Sequence, residues 1–73
     1  MQSFQIHTEY ITLIQLLKAA NMAESGGQAK QLIEEGLVLV NGEKEFRKRK
    51  KLQPGNIVTL DEESILIKEG EHG

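Results

Sequence analysis

The sequence predicts an antiparallel α+β domain with two consecutive helices and about five short strands. Three observations carry this prediction. Apolar residues recur at helical spacing in two successive stretches, Leu13 to Ala20 and Ala29 to Ile33. After Gly36 the pattern becomes a continuous apolar run, Leu37 to Val40, as in a buried strand. Two turn dipeptides, Asn41-Gly42 and Pro54-Gly55, then punctuate the second half of the chain. With 73 residues the chain makes one domain, 1–73. Such a domain buries only ~60% of its unfolded surface, enough for a modest two-layer core.

Each element has a local reason. Phe4 and Ile6 alternate with Gln5, a short strand signal. Leu13, Leu16, Leu17 and Ala20 form one apolar helical stripe, with Thr12 as N-cap and Asn21 suited to the left-handed conformation that ends a helix. Ser25-Gly26-Gly27-Gln28 reads as a capping box in which Ser25 caps and Gln28 reaches back to its amide. Ala29, Leu32 and Ile33 give this second helix its buried face, and Gly36 is the expected residue just past its end. Asn41-Gly42 predicts a hairpin whose return strand, Glu43 to Phe46, is charged enough to lie at a sheet edge. Leu52 is expected to anchor the adjoining loop to the core. Gln53-Pro54-Gly55-Asn56 reads as a type II turn, because Pro54 sets φ and Gly55 supplies φ > 0. Ile57–Leu60 and Ile65–Ile67 make a last hairpin around Asp61, Glu62, Glu63 and Ser64, and a frayed tail is expected at 70–73.

The charge distribution is uneven. Arg47-Lys48-Arg49-Lys50-Lys51 holds five of the nine Lys and Arg residues in a chain of formal net charge −2. Adjacent like charges repel, so such a run suggests a solvated loop or a bound anion, and a nucleic-acid backbone is the anion that fits best. A nuclear signal or an anionic-membrane patch uses the same residues but leaves the surrounding pattern unexplained. The chain has no cysteine, hence neither disulfides nor thiolate metal sites, which suits a reducing, cytoplasmic setting. No apolar run reaches membrane-spanning length, so neither a signal peptide nor a membrane span is expected.

Catalysis finds little support. His7 and His72 have no evident partners, and Glu34-Glu35 and Glu62-Glu63 are neighbours that point apart rather than converge. Neither a phosphate-cradling glycine consensus nor a metal-ligand spacing is present. No enzyme activity, cofactor, metal or small-molecule substrate is expected.

From Leu13 to Val58 the chain resembles the S4-type RNA-binding domain, in particular its small stand-alone bacterial members. The resemblance rests on Ser25 opening a helix, then Ala29, Leu32-Ile33, Gly36, Val38, Val40-Asn41-Gly42 and Pro54-Gly55, an ordered set over about two-thirds of the chain. Ser-Gly-Gly-Gln-Ala-Lys and the late basic run point to the stand-alone members. The resemblance implies a motif over about residues 12–60 (the alpha-L motif), with two helices packed on a small bent antiparallel sheet. It also implies structured RNA held along the helical face and adjoining loop, with ribosome assembly as a role of some relatives. Two positions depart from the family pattern. Thr12 stands where many members carry Arg, and Ser25-Gly26 where many carry Ser-Arg.

The candidate RNA-binding residues are therefore Arg47, Lys48, Arg49, Lys50 and Lys51, extended over the helices by Lys30 and Lys18. Lys30 falls at a position that is frequently basic in the family. Gly26 and Gly27 open a helix and would let a phosphate approach its amides, although Glu24 beside them opposes an anion. Gln28 and Asn41 read first as a capping and a turn residue, and second as RNA contacts. Tyr10 and Phe46 read as core or edge packing, so sequence readout by base stacking is not expected. The reading is a monomeric, non-catalytic module for structured RNA, ribosomal RNA or a ribosomal particle, with no membrane partner. Two alternatives stand beside it: an adaptor docking its basic loop on an acidic protein, and a subunit delivering RNA to a catalytic partner.

Overall fold

A computed structural model describes residues 1–70. Strand β1 (Gln2–Ile6) and the two-residue β2 (Ile11–Thr12) precede helices α1 (Leu13–Ala19) and α2 (Gly26–Glu34). Strands β3 (Val38–Val40), β4 (Glu43–Lys44), β5 (Lys51–Leu52), β6 (Ile57–Leu60) and β7 (Glu63–Glu69) complete the chain. The main sheet has the order β1-β7-β6-β3-β4, and β2 pairs with β5 in a separate two-stranded ribbon. The α+β class and the two consecutive helices are as the sequence predicts. All the sheet pairings are antiparallel except that of β1, which runs parallel to β7, Gln2 opposite Ile65 through Ile6 opposite Glu69.

The helices begin and end for the reasons their sequences suggest. Thr12 caps α1 and Gln15 completes a capping box, its Oε1 accepting the Thr12 amide at 3.0 Å. The Ser25 hydroxyl accepts the Gln28 amide at 3.1 Å, but the Gln28 side chain reaches the Glu24 amide, one residue before the expected partner. Both helices end in the same two-bond motif. Asn21 and Gly36 adopt φ of 60° and 75°, and the next residues, Met22 and Leu37, donate back to Leu17 and Leu32. Leu37 itself is 46% exposed and lies outside β3, so the buried strand begins one residue later than the apolar run. Asn41 and Gly42 both have positive φ, as a two-residue hairpin of the twisted kind needs.

One apolar core joins the layers. Leu13, Leu16 and Leu17 of α1 and Ala29 and Ile33 of α2 pack with Val38, Val40, Val58, Leu60, Ile65 and Ile67 of the sheet. Leu52 belongs to the same core and is fully buried, the anchor expected of it. No polar or charged residue is buried among the described residues. Gly70 is buried and donates its amide to the Ile6 carbonyl at 2.7 Å, which ties it to the end of β1. The rest of the expected frayed tail, 71–73, lies outside the described residues.

Candidate nucleic-acid interface

The basic run is held in place by its backbone, which leaves its side chains outward. The Lys50 carbonyl accepts the Leu13 amide at 2.9 Å, and the Lys48 carbonyl accepts the Ile14 amide at 3.0 Å. These are the first two amides of α1, which no carbonyl within the helix can satisfy. The loop thus caps α1 with its main chain, and Lys50 donates to Arg47 across a tight turn. At its far end Lys51 and Leu52 pair with Thr12 and Ile11 as β5. The sequence hides this strand because its polar member belongs to the charged run. Arg47, Arg49 and Lys51 are exposed, and Lys48 and Lys50 are half-buried.

One arginine of the run already has a partner. Arg47 forms a two-pronged ion pair with Glu45, Nε to Oε2 and Nη2 to Oε1 both at 3.0 Å, and its amide also donates to Oε2 at 3.1 Å. The Arg47 side chain holds the Glu45 carboxyl below its ordinary pKa of 4.5 against the opposing effect of burial, and Lys50 adds to the lowering. Glu45 raises the pKa of Arg47 in turn. The candidate residues drawn from the sequence do not include Glu45. A signal for it exists, since residues two apart in an extended chain share a side.

Lys18 and Gly26 meet between the helices: a Cβ built on Gly26 would lie 3.9 Å from the Lys18 Cδ. Together with Ile14, Gln15 and Ala19 they line a shallow open groove. The Ile14 amide also donates to the Lys48 carbonyl, so one wall of the groove is bonded to the basic loop. Lys30 lies four residues beyond Gly26 on α2, hence on the same helical face. It is exposed and stands 3.8 Å from Glu34, a surface pair of little energetic weight. Gly27 sits at the start of α2, as predicted. Gln28 is committed to its cap. Asn41 serves the fold, its Oδ1 accepting the Ile57 amide at 2.9 Å while its own amide donates to the Ile57 carbonyl.

The two aromatics at the loop's ends are not packed away. Tyr10 is 41% exposed and Phe46 57%, which rules out the core position for both and leaves them at the edge. The Lys51 ammonium stands 4.8 Å from the centre of the Tyr10 ring. The Phe46 ring leans on Gly36, where a built Cβ would lie 3.1 Å from Cε1. No three metal-ligating side chains converge among the described residues, and no described helix is long and apolar enough to cross a membrane.

Known proteins share this arrangement. A family model described as S4 domain matches residues 4–68. A probable ribosome maturation protein, RlbA of Bacillus subtilis, is 46% identical over 56 residues, 77% of this chain and 79% of that protein. The putative RNA-binding protein YbcJ of Escherichia coli is 41% identical over 58 residues, 80% of this chain and 83% of that protein. The solution structure of YbcJ, described as having an alfaL motif involved in RNA binding, superposes with a TM-score of 0.72 at 38% identity, covering 93% of this chain and 87% of that one. The small ribosomal subunit protein uS4m of Schizosaccharomyces pombe is 45% identical over 47 residues, 64% of this chain but only 14% of that protein.

Proposed function

The chain belongs to the S4 domain family, and from that premise we propose that it is a non-catalytic module binding structured RNA, with ribosomal RNA or a ribosome-assembly particle as its target. The observation that carries this is the backbone clamp on the basic loop. Because the Lys48 and Lys50 carbonyls are fixed on the first turn of α1, five cationic residues are presented at one end of the helical groove rather than on a free loop. Little backbone entropy then remains to be lost on binding, and the ordering cost falls on the side chains. The names of RlbA and YbcJ support the ribosomal and RNA parts of the reading.

Recognition is by shape and backbone phosphate in this reading. Arg47 to Lys51 supply most of the affinity, and Lys18 and Lys30 extend the track along the groove. Gly26 and Gly27 allow close approach of the backbone. Gln28 and Asn41, with side chains already bonded to the fold, contribute least. The protein acts as a cytoplasmic monomer. Neutralising ~3 to 4 phosphates would give log K against log salt a slope of about −2 to −4. The test replaces all five basic loop residues by Gln and measures binding to ribosomal RNA fragments across a salt series. Loss of affinity together with a flatter slope is expected, with an unchanged circular-dichroism spectrum. An unchanged slope would overturn the assignment of the loop, and enrichment of an acidic protein in place of RNA would favour an adaptor.

A further inference from the structure

We propose that Tyr10 and Phe46 are stacking platforms for unpaired bases, so that the ligand is RNA with a bulged or looped nucleotide beside a helical stretch; this rests on the RNA-binding reading above. The chain has only three aromatic residues. Phe4 packs against the core, whereas the other two are exposed at opposite ends of the same basic loop. Phe46 immediately precedes Arg47. Tyr10 immediately precedes β2, whose partner strand ends the loop, and its ring lies under Lys51.

Both residues are anchored to the fold, Tyr10 through its backbone and Phe46 through its ring. The Tyr10 carbonyl accepts the Thr8 hydroxyl at 2.7 Å, and Ile11 directly after it pairs with the buried Leu52. The Phe46 ring rests on Gly36, a residue whose φ of 75° and missing Cβ leave room for it. More than half of Phe46 nonetheless stays open to solvent. The part of each ring left in water adds nothing to the stability of so small a core. An exposed ring beside cations is what a base with its π-face exposed can stack on while its phosphate meets Lys or Arg. Fully paired RNA offers no such base, because its bases are already stacked on one another.

The test compares a short perfectly paired RNA duplex with the same duplex carrying one unpaired 2-aminopurine. The wild-type chain is expected to bind the bulged RNA about five- to tenfold more tightly and to quench the 2-aminopurine fluorescence, as stacking does. Phe46→Leu, which keeps an apolar cover on Gly36, and Tyr10→Leu are expected to reduce that preference while leaving duplex affinity and its salt slope unchanged. Phe46→Tyr and Tyr10→Phe keep a ring and should retain the preference. Equal wild-type affinity for the two RNAs, or equal losses on both in the Leu variants, would overturn the stacking role alone. Binding to neither RNA would overturn the RNA reading beneath it.

Discussion

The two ends of α1 sit in different charge settings, and only the start has the wrong sign for the helix. At its start stand Arg47 to Lys51, whose carbonyls at Lys48 and Lys50 cap the first turn. At its finish Asn21 and Met22 share a small groove with Leu60, Asp61 and Glu63 of the β6–β7 hairpin. A helix prefers anions at its N-terminus and cations at its C-terminus, by about 0.3–1 kcal/mol per well-placed charge. The start forgoes that preference, whereas Lys18 in the last turn meets it at the finish. The basic start is therefore unfavourable for α1, and on the proposed reading it serves the ligand instead: the positive end would draw in a polyanion and the acidic β6–β7 turn would limit where it can lie.

Severing the basic end from the core is the harshest test of that contrast. Leu52 joins the loop to the apolar cluster and is fully buried. Leu52→Ala should cost about 2–5 kcal/mol, a large share of the roughly 5–15 kcal/mol available to a domain. Urea denaturation should show the midpoint collapse, and the first-turn amides of α1 should exchange faster than those of α2. Equal loss of protection in both helices would mean that the loop does not act on α1 selectively.

Neutralising the two ends separately comes next. Replacing Arg47 to Lys51 by Gln should lower RNA affinity about a hundredfold at low salt, since three or four phosphate contacts are lost. Stability should change little, because the capping groups are backbone carbonyls and relief of repulsion at low salt offsets loss of the exposed Arg47–Glu45 pair. Neutralising Asp61, Glu62 and Glu63 at the other end should change RNA affinity by no more than about twofold, with the effect vanishing as salt screens it. A comparable loss at both ends would remove the polarity from the mechanism.

Much of this contrast is legible in the sequence, and the missing parts share a cause. The stripe at Leu13, Leu16 and Leu17, the cap at Ser25, Gly36, Asn41-Gly42 and Pro54-Gly55 all act through neighbours a few residues away, so local pattern reveals them. The parallel pairing of β1 with β7 is long-range, and alternation along a strand says nothing about direction. The capping of α1 by Lys48 and Lys50 uses carbonyls, which every residue has. Tyr10 and Phe46 read as packing residues because apolar rings usually lie inside, and nothing local marks the exceptions. Of the candidate site, the sequence alone names the basic run, Lys18, Lys30, Gly26, Gly27, Gln28 and Asn41. The Glu45 partner and the groove joining loop to helices need the fold.

The starts of the two helices sharpen the role of the loop at a smaller scale. α2 depends on Ser25, whose hydroxyl takes the Gln28 amide at 3.1 Å, whereas at α1 the Thr12 hydroxyl stands 3.4 Å from the Gln15 amide and two more amides go to the loop. Ser25→Ala should therefore cost about 1 kcal/mol and Thr12→Ala about half of that. Chemical denaturation of the two variants would decide it. A costlier Thr12→Ala would mean that the loop carbonyls contribute less than their distances suggest.

Glu45 is the exception within the basic end, and removing its charge gives the smallest and most specific change. Its carboxylate occupies the Arg47 guanidinium and places a negative charge where phosphate would approach. Glu45→Gln should raise RNA affinity about two- to threefold at low salt and less at high salt, as loss of one repulsive charge near the surface would. The same pair has a pH signature. Because folding lowers the pKa of Glu45 below 4.5, its stabilising contribution is complete at neutral pH and is lost as pH falls below 4.5 through the folded value. The stability difference between wild type and Glu45→Gln should thus be constant near neutrality and shrink in acid. If Glu45→Gln instead weakened RNA binding, the pair would be aiming Arg47 at its phosphate rather than competing with it, and the carboxylate would belong to the positive end as a positioning group.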